Sequence, residues 1–231
     1  MLLHSLMDFL FPRYCLMCGK RLEVEEKQLC LMCNVSLPRT YHWNNAEDNI
    51  LARRYWGKIP VRKAVAYFYF RPESKPAKIV YTFKYKNYRY AAIDMGNMLA
   101  MEMQENGIFS DVDCLVPVPL TRRRMKNRGY NQSEELARGI SKVTGIPVYG
   151  KALKRKKFSV SQTSLTHEER IFNVETVFEL GKDSEKLADK HVMIIDDVIT
   201  TGSTTSACAS CILKIRGTSI SMLSLGCIKN V

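Results

Sequence analysis

Residues 191–204 constrain the fold more than any other stretch of the chain. His191-Val-Met-Ile-Ile195 is a short continuous apolar run of the kind buried on both faces in a parallel sheet. It stops at two carboxylates, Asp196 and Asp197, and passes through Val198 and Ile199 into Thr200-Thr201-Gly202-Ser203-Thr204. A buried strand that ends in charge and then in a small, hydroxyl-rich turn reads as a strand–turn–helix unit. Exposed amides at a helix N-terminus, backed by Thr and Ser hydroxyls, favour a phosphate. Gly202 permits close backbone approach. The paired carboxylates can accept hydrogen bonds from a sugar diol or hold the shell of a Mg²⁺.

The chain around this segment alternates between the two hydrophobic periods. Strands are expected at 61–70, 113–119, 147–153, 191–195 and 219–227, and helices at 74–86, 88–104, 131–143 and 202–216. Such alternation implies an α/β fold, an open and mainly parallel sheet with helices on both faces. Ligands of these sheets bind beyond the carboxyl ends of the strands, where Asp196 and Asp197 fall.

A second unit precedes the sheet. Cys15-Leu-Met-Cys18-Gly19 and Cys30-Leu-Met-Cys33 form two C-x2-C pairs within nineteen residues. Each pair can turn both thiolates onto one ion, and four thiolates suit Zn²⁺ in a closed, structural site. The domain division expected is therefore 1–58 for an N-terminal helix and zinc-binding module, and 59–231 for the α/β domain. Cys208 and Cys211 also read C-x2-C, but they fall on a helix with no second pair nearby and are expected to pack in the core.

The 231 residues carry a net charge of +12, and 21 of the 35 basic residues lie in 61–170 against 10 acids. The excess is concentrated in Arg122-Arg123-Arg124-Met125-Lys126-Asn127-Arg128 and Lys154-Arg155-Lys156-Lys157, which favours a polyanionic partner: a phosphorylated small molecule or nucleic acid. The apolar run 2–11 has no preceding basic residue and no small-residue cleavage site, so it reads as a short helix packed on the body rather than a signal peptide. With no stretch long enough to span a bilayer, a cytoplasmic location is expected.

The segment 192–204 resembles the phosphoribosyl pyrophosphate signature of type I phosphoribosyltransferases: four apolar residues, two acids, two apolar residues, then a small hydroxyl-bearing loop with glycine. That likeness implies that Asp196 and Asp197 contact the ribose hydroxyls, directly or through metal, as the catalytic pair. It also implies that Thr200, Thr201, Gly202, Ser203 and Thr204 wrap the 5′-phosphate. Upstream, Val116-Pro-Val-Pro119, Arg122, Arg123, Arg128-Gly129-Tyr130-Asn131-Gln132 and the later Gln162, Leu165, Arg170, Asn173-Val174 and Phe178 resemble the ComF family of competence proteins, as does the four-cysteine module. The resemblance places Pro117 and Val118 in a loop that contacts pyrophosphate, with Arg122, Arg123 and Arg128 neutralising its charge through directional guanidinium donors. Lys84 is a further cation for this site or a solvated helix lysine. The polar stretch 154–170, with Gln162 and Arg170, matches a mobile loop that closes over substrate.

The cofactors implied are structural Zn²⁺ and Mg²⁺ bound with phosphoribosyl pyrophosphate. Three functions are compatible with these motifs. One is an accessory protein of DNA uptake that engages single-stranded DNA or uptake proteins and keeps its nucleotide-sugar site. The second is a working phosphoribosyltransferase acting on a nitrogen nucleophile, and the third is a non-catalytic sensor of phosphoribosyl pyrophosphate. No histidine stands in a catalytic context, no segment identifies an acceptor, and the number of subunits stays open.

Overall fold

The computed structural model describes residues 12–85, 88–156 and 177–229. The run 2–11 and the expected loop residues Gln162 and Arg170 lie outside the described residues. The main sheet holds β1 (Val61–Tyr69), β2 (Cys114–Pro117), β5 (His191–Ile199) and β6 (Ser219–Cys227), all parallel, in the order β1-β6-β5-β2. A short antiparallel hairpin of β3 (Leu153–Arg155) and β4 (Phe178–Leu180) stands apart from it. The helices are α1 (Leu31–Val35), α2 (Ala77–Tyr85), α3 (Arg89–Met103), α4 (Arg122–Arg128), α5 (Gln132–Thr144) and α6 (Ser203–Ile212). The fold is the mixed α/β arrangement with a parallel sheet and an N-terminal four-cysteine cluster that the sequence led us to expect.

The strand period of two sorts the core into two layers. Val65, Tyr67, Met193, Ile195, Leu223 and Leu225 pack with α2, α3 and α5, whereas Ala64, Ala66, Val192, Ile194, Ile220 and Met222 face α6 and the 51–55 segment. Cys208 and Cys211 are buried in the second layer, as core thiols. Helices α3 and α5 cross at two glycines, and a Cβ on Gly139 would lie 2.1 Å from the Ile93 carbonyl oxygen and 2.9 Å from the Gly96 Cα. Only side-chain-free positions allow so close a contact, and it sets the N-terminus of α5 beside β5.

The four-cysteine module is packed on this body. Cys15, Met17, Leu22, Leu29, Cys30, Cys33, Leu37 and Trp43 join the same apolar cluster as Tyr67 and Leu99. Gln28 Nε2 donates to Asp94 Oδ2 at 2.7 Å, and Arg39 Nε pairs with Glu102 Oε1 at 2.6 Å while Tyr67 OH donates to Glu102 Oε2 at 2.6 Å. Among the described residues no helix is long and apolar enough to cross a membrane.

Several boundaries differ from the pattern in the sequence. The strand expected at 191–195 runs on to Ile199, because Asp196, Val198 and Ile199 keep their pairing with Ser224, Gly226 and Cys227 of β6. The helix expected to 216 ends at Ile212, where the Thr218 hydroxyl meets the carbonyls of Ile212 and Ile215. The strand expected at 147–153 shrinks to one bridge, Val148 to Leu115, before a turn closed by the Ala152 amide on Tyr149 O. The arginine cluster at 122–128, read only as charge, is helix α4, capped by the Thr121 side chain on Arg124 N at 3.2 Å.

Candidate functional site

β2 pairs with β5 only as far as Pro117 on Ile195. One further bond, Val118 N–H to Ile195 O at 2.9 Å, closes this side of β5, after which Asp196 and Asp197 are held on the β6 side alone. The two acids therefore sit on a ledge at the carboxyl end of the sheet, half-buried, with α2 and α5 on one flank and the 200–204 turn ahead of them.

Their oxygens are committed to specific donors. Asp196 Oδ1 accepts from Ser133 Oγ at 3.2 Å and from the Asp197 amide at 2.8 Å. Asp197 Oδ1 accepts from the Val198 amide at 2.7 Å, and Asp197 Oδ2 pairs with Lys84 Nζ at 3.2 Å. Asp196 Oδ2 is the one oxygen of the pair without a donor among the described residues. Burial, and after it the neighbouring Asp197 charge, push the Asp196 carboxyl up to about 7, against hydrogen bonds from the Asp197 amide and Ser133 and the charge of Lys84. Lys84, read from sequence as either a site cation or a solvated helix lysine, is only partly exposed and is paired with Asp197.

The segment Arg128-Gly-Tyr-Asn-Gln132 stitches the site together. Tyr130 OH donates to Phe83 O at 2.7 Å and Gln132 Nε2 to the same carbonyl at 3.3 Å, fixing the end of α2 that carries Lys84. Asn131 caps α5 by accepting from Ser133 N at 3.2 Å, and its Nδ2 donates to Val118 O at 3.0 Å. Pro117 and Val118 thus have buried side chains, and the Val118 amide and carbonyl are both engaged.

The turn after β5 forms a small concavity lined by Asp196, Val198, Ile199 and residues 200–205. Gly202 is the N-cap of α6 at φ +84°, a conformation that glycine adopts without strain. Thr200, Thr201, Ser203 and Thr204 are exposed, and Thr201 Oγ1 lies 2.8 Å from Ser203 Oγ. The first residues of a ten-residue helix and several hydroxyl-bearing side chains thus border this concavity.

On the far side of the acids a cleft of about 520 Å³ lies between α4 and the β3–β4 hairpin, lined by Arg122, Asn131, Glu134, Lys154, Arg155 and Glu179 among others. Arg122 reaches it, whereas Arg123 is exposed on α4 outside the cleft and Arg128 Nη1 is turned onto Gln132 Oε1 at 3.0 Å. Arg155, noted in the sequence only as part of a basic run, is half-buried here over the Phe178 ring at 5.2 Å. Burial, then the nearby Arg124, lower its pKa, a cost that an anion in the cleft would relieve. A lone arginine in a basic run carries no local mark of burial, so only the hairpin reveals it.

Two histidines are among the described residues. His191 opens β5 at its other end, bonded to Asp111 O at 2.7 Å and Ser221 Oγ at 2.8 Å. His42 is buried, and burial with the Arg54 charge brings its pKa down to about 4.

The four cysteines form a separate cluster. The Sγ atoms of Cys15, Cys18, Cys30 and Cys33 all lie within 4.8 Å of one another, with Cys18 and Cys30 at 3.7 Å. Zn–S bonds of about 2.3 Å at tetrahedral angles require S···S of about 3.8 Å. The donor set therefore fits a Zn(Cys)4 centre. Burial raises the Cys15 thiol, but hydrogen bonds from the backbone of Cys18, Cys30 and Met17 outweigh it and bring it down to about 7. The acid pair fits a different kind of metal. With three of four oxygens occupied, it suits a Mg²⁺ that keeps its waters and rides on a phosphorylated ligand, not a protein cage.

No family model matches the chain. It is 24% identical to competence protein F of Haemophilus influenzae over 91% of this chain and 94% of that protein. It is 33% identical to DNA utilization protein YhgH of Escherichia coli K12 over 44% of each chain. It is 31% identical to competence protein ComFC of Bacillus subtilis over 48% of this chain and 43% of that one. Similar solved structures include the allosteric regulatory enzyme of purine biosynthesis, 21% identical with a TM-score of 0.40 over 58% of this chain and 25% of that one. A purine phosphoribosyltransferase from Pyrococcus horikoshii is 19% identical, with a TM-score of 0.36 over 62% and 80%.

The Asp196 shift has a thermodynamic consequence. A carboxyl near 7 when folded and near 3.8 when unfolded binds its proton more tightly in the native state, so its stabilising contribution is complete below about pH 4 and is lost as pH rises through 7. Asp196→Asn keeps the Oδ1 acceptor and removes the charge. In urea unfolding of the ligand-free protein, we expect the variant to gain on native protein progressively from pH 4 to pH 8, by up to about 4 kcal/mol. A difference that is flat with pH would show that the carboxyl is ionised throughout.

Proposed function

We propose that this homologue of the ComF-type competence proteins binds phosphoribosyl pyrophosphate with Mg²⁺ at the β5 ledge, and serves DNA uptake through a separate contact with single-stranded DNA. The observation that carries the first part is the juxtaposition of an acid pair with a small concavity of amides and hydroxyls on one strand end. Thr200 to Thr204 supply amides and hydroxyls for the 5′-phosphate. Asp196, through its donor-free Oδ2, and Asp197 take the ribose hydroxyls. Arg122, with Arg155 across the cleft, faces the diphosphate, while Arg123 and Arg128 on the same short helix add to the positive field around it. Mg²⁺, carried in with the ligand, neutralises diphosphate charge. Lys84 holds Asp197 until the ligand arrives and then has the diphosphate within its range as an alternative partner.

This reading is one of binding. Transfer to a nitrogen nucleophile is the alternative: it would require a proton acceptor beside C1, and Asp196, whose carboxyl is pushed up to about 7, stands at the ledge.

A second observation favours the DNA contact. A groove of about 770 Å³ runs between the four-cysteine module and the start of α3, lined by Tyr14, Tyr81, Tyr88 and Tyr90 together with Arg13, Lys27 and Lys78, and, among the described residues, by no acidic one. Tyr90 is 79% exposed and Tyr14 57% exposed. Exposed aromatic faces among cations are what single strands use, because every base has a face to stack. The names of the relatives, competence proteins and a DNA utilization protein, agree with it. The four thiolates hold a structural Zn²⁺ that shapes one wall of this groove.

Three outcomes are expected. Calorimetric titration with phosphoribosyl pyrophosphate and Mg²⁺ gives binding that Asp196→Asn/Asp197→Asn abolishes; silence from folded native protein would refute the site. Native mass spectrometry finds one Zn²⁺ per chain, absent from Cys33→Ser, and a metal-free native protein would overturn the zinc assignment. Fluorescence anisotropy with oligothymidylate shows affinity falling with salt at a log–log slope of about −2, for roughly three phosphate contacts, and about tenfold weaker binding by Tyr90→Ala. Binding that ignores both salt and Tyr90 would place DNA elsewhere.

A further inference from the structure

The phosphate turn is not self-supporting. Its inner side rests on residues 54 and 55, which come from the N-terminal part of the chain, about 150 positions away in sequence. Tyr55 is 1% exposed and its ring lies under Gly202, where a Cβ would come within 3.3–3.4 Å of two ring carbons and the hydroxyl oxygen. Tyr55 OH lies 2.8 Å from Thr205 Oγ1, and the Thr205 hydroxyl donates to Gly202 O at 2.9 Å. Thr205 has a single hydroxyl proton and spends it on Gly202, so Tyr55 must be the donor in the first bond. The result is a one-way relay from the Tyr55 hydroxyl through Thr205 to the Gly202 carbonyl. Beside it, Arg54 Nη1 donates to Thr200 O and Arg54 Nη2 to Ile228 O.

These contacts all hold carbonyls. In a planar trans peptide the C=O and the following N–H point in opposite directions. Fixing Thr200 O and Gly202 O on the inside therefore turns the amides of Thr201 and Ser203 outward, on residues that are exposed. The Ser203 amide there meets Thr201 Oγ1 at 3.3 Å, a long bond that an anion would readily replace. The Gly202 carbonyl also accepts the Ser206 amide at 2.8 Å, the first bond of α6, so Tyr55 and Thr205 steady a peptide that the helix already orients. Release from Arg54, by contrast, would let the Thr200 peptide turn its carbonyl to the phosphate.

We infer that Tyr55, with Arg54, is a positioning residue for the 5′-phosphate: the pair backs the inner side of the turn and, together with the first bond of α6, holds the peptide orientation that aims the 200–204 amides at the ligand, so the site is incomplete without the segment that follows the four-cysteine module. This rests on the phosphoribosyl reading of the turn. Neither residue belongs to the motif of the turn itself.

The test uses ribose 5-phosphate and inorganic pyrophosphate as separate probes, titrated calorimetrically into the full-length protein. Tyr55→Phe keeps the ring against Gly202 and removes only the hydroxyl. Thr205→Val breaks the relay at its centre, and Thr205→Ser preserves it. Tyr55→Phe and Thr205→Val should each weaken ribose 5-phosphate about tenfold, while Thr205→Ser binds like native protein. The double variant should be no weaker than either single, because one relay is broken once. Pyrophosphate affinity should stay unchanged. Native-like ribose 5-phosphate binding by both Tyr55→Phe and Thr205→Val would overturn the inference. So would an equal loss for both probes, which would indicate general damage to the fold. If native protein binds pyrophosphate but not ribose 5-phosphate, the phosphoribosyl reading itself falls and takes the inference with it.

Discussion

The architecture of the site depends on unequal pairing along β5. As far as Ile195 this strand is bonded on both sides, to β2 and β6, and its side chains are fully enclosed. From Asp196 onward it is bonded to β6 alone. A strand buried on both faces cannot accept a carboxylate, whereas one that has lost a neighbour can carry two. The loss occurs at Pro117, beyond which β2 contributes a single bond from Val118 and then turns away under the Asn131 side chain. Each later feature follows from this ledge: the raised pKa of Asp196, the Lys84 pair, and the approach of α5 through Ser133.

Helix α5 reaches the ledge because α3 lets it. The Gly96–Gly139 crossing brings two backbones together with no side chain between them, which sets how far α5 advances toward β5. The Asn131 cap then turns the start of that helix onto Val118. The Arg128-Gly-Tyr-Asn-Gln132 segment is thus as much a clamp as a charge carrier. Its tyrosine and glutamine both bind the Phe83 carbonyl, one residue before Lys84. Electrostatics and packing act on the same few atoms here.

The N-terminal module is more than an appendage. Its thiol cluster shares an apolar core with the sheet, and the chain leaving it supplies Arg54 and Tyr55 beneath the turn after β5. A small module that cannot enclose much apolar surface gains stability from a bound metal and from docking. Here docking also carries the two ends of the molecule into one construction, with Arg54 bridging Thr200 and Ile228.

Local chemistry was readable from the sequence where the residues that act together are neighbours. The strand–acid–acid–turn–helix order of 192–204, the two C-x2-C pairs and the alternation of helix and strand periods each declare their meaning within a few residues. Asp196, Asp197, the 200–204 turn and the four cysteines are in this group. Lys84 stood open between two roles because an ion pair with a residue 113 positions away leaves no local mark. Arg155 and Tyr55 went unmarked for the same reason: an arginine in a basic run and a tyrosine in an aromatic one look like any other. The β3–β4 hairpin was missed because three-residue strands are too short to show a period. What the sequence by itself determined was the four-cysteine cluster, the class of sheet, and the placing of two acids and a hydroxyl-rich turn at its carboxyl end. Only the tertiary structure decided which cations reach the acids, which donors fill their oxygens and which remote residues hold the turn. Those depend on where β2 stops and how closely two helices cross, and both are set by contacts between segments distant in sequence.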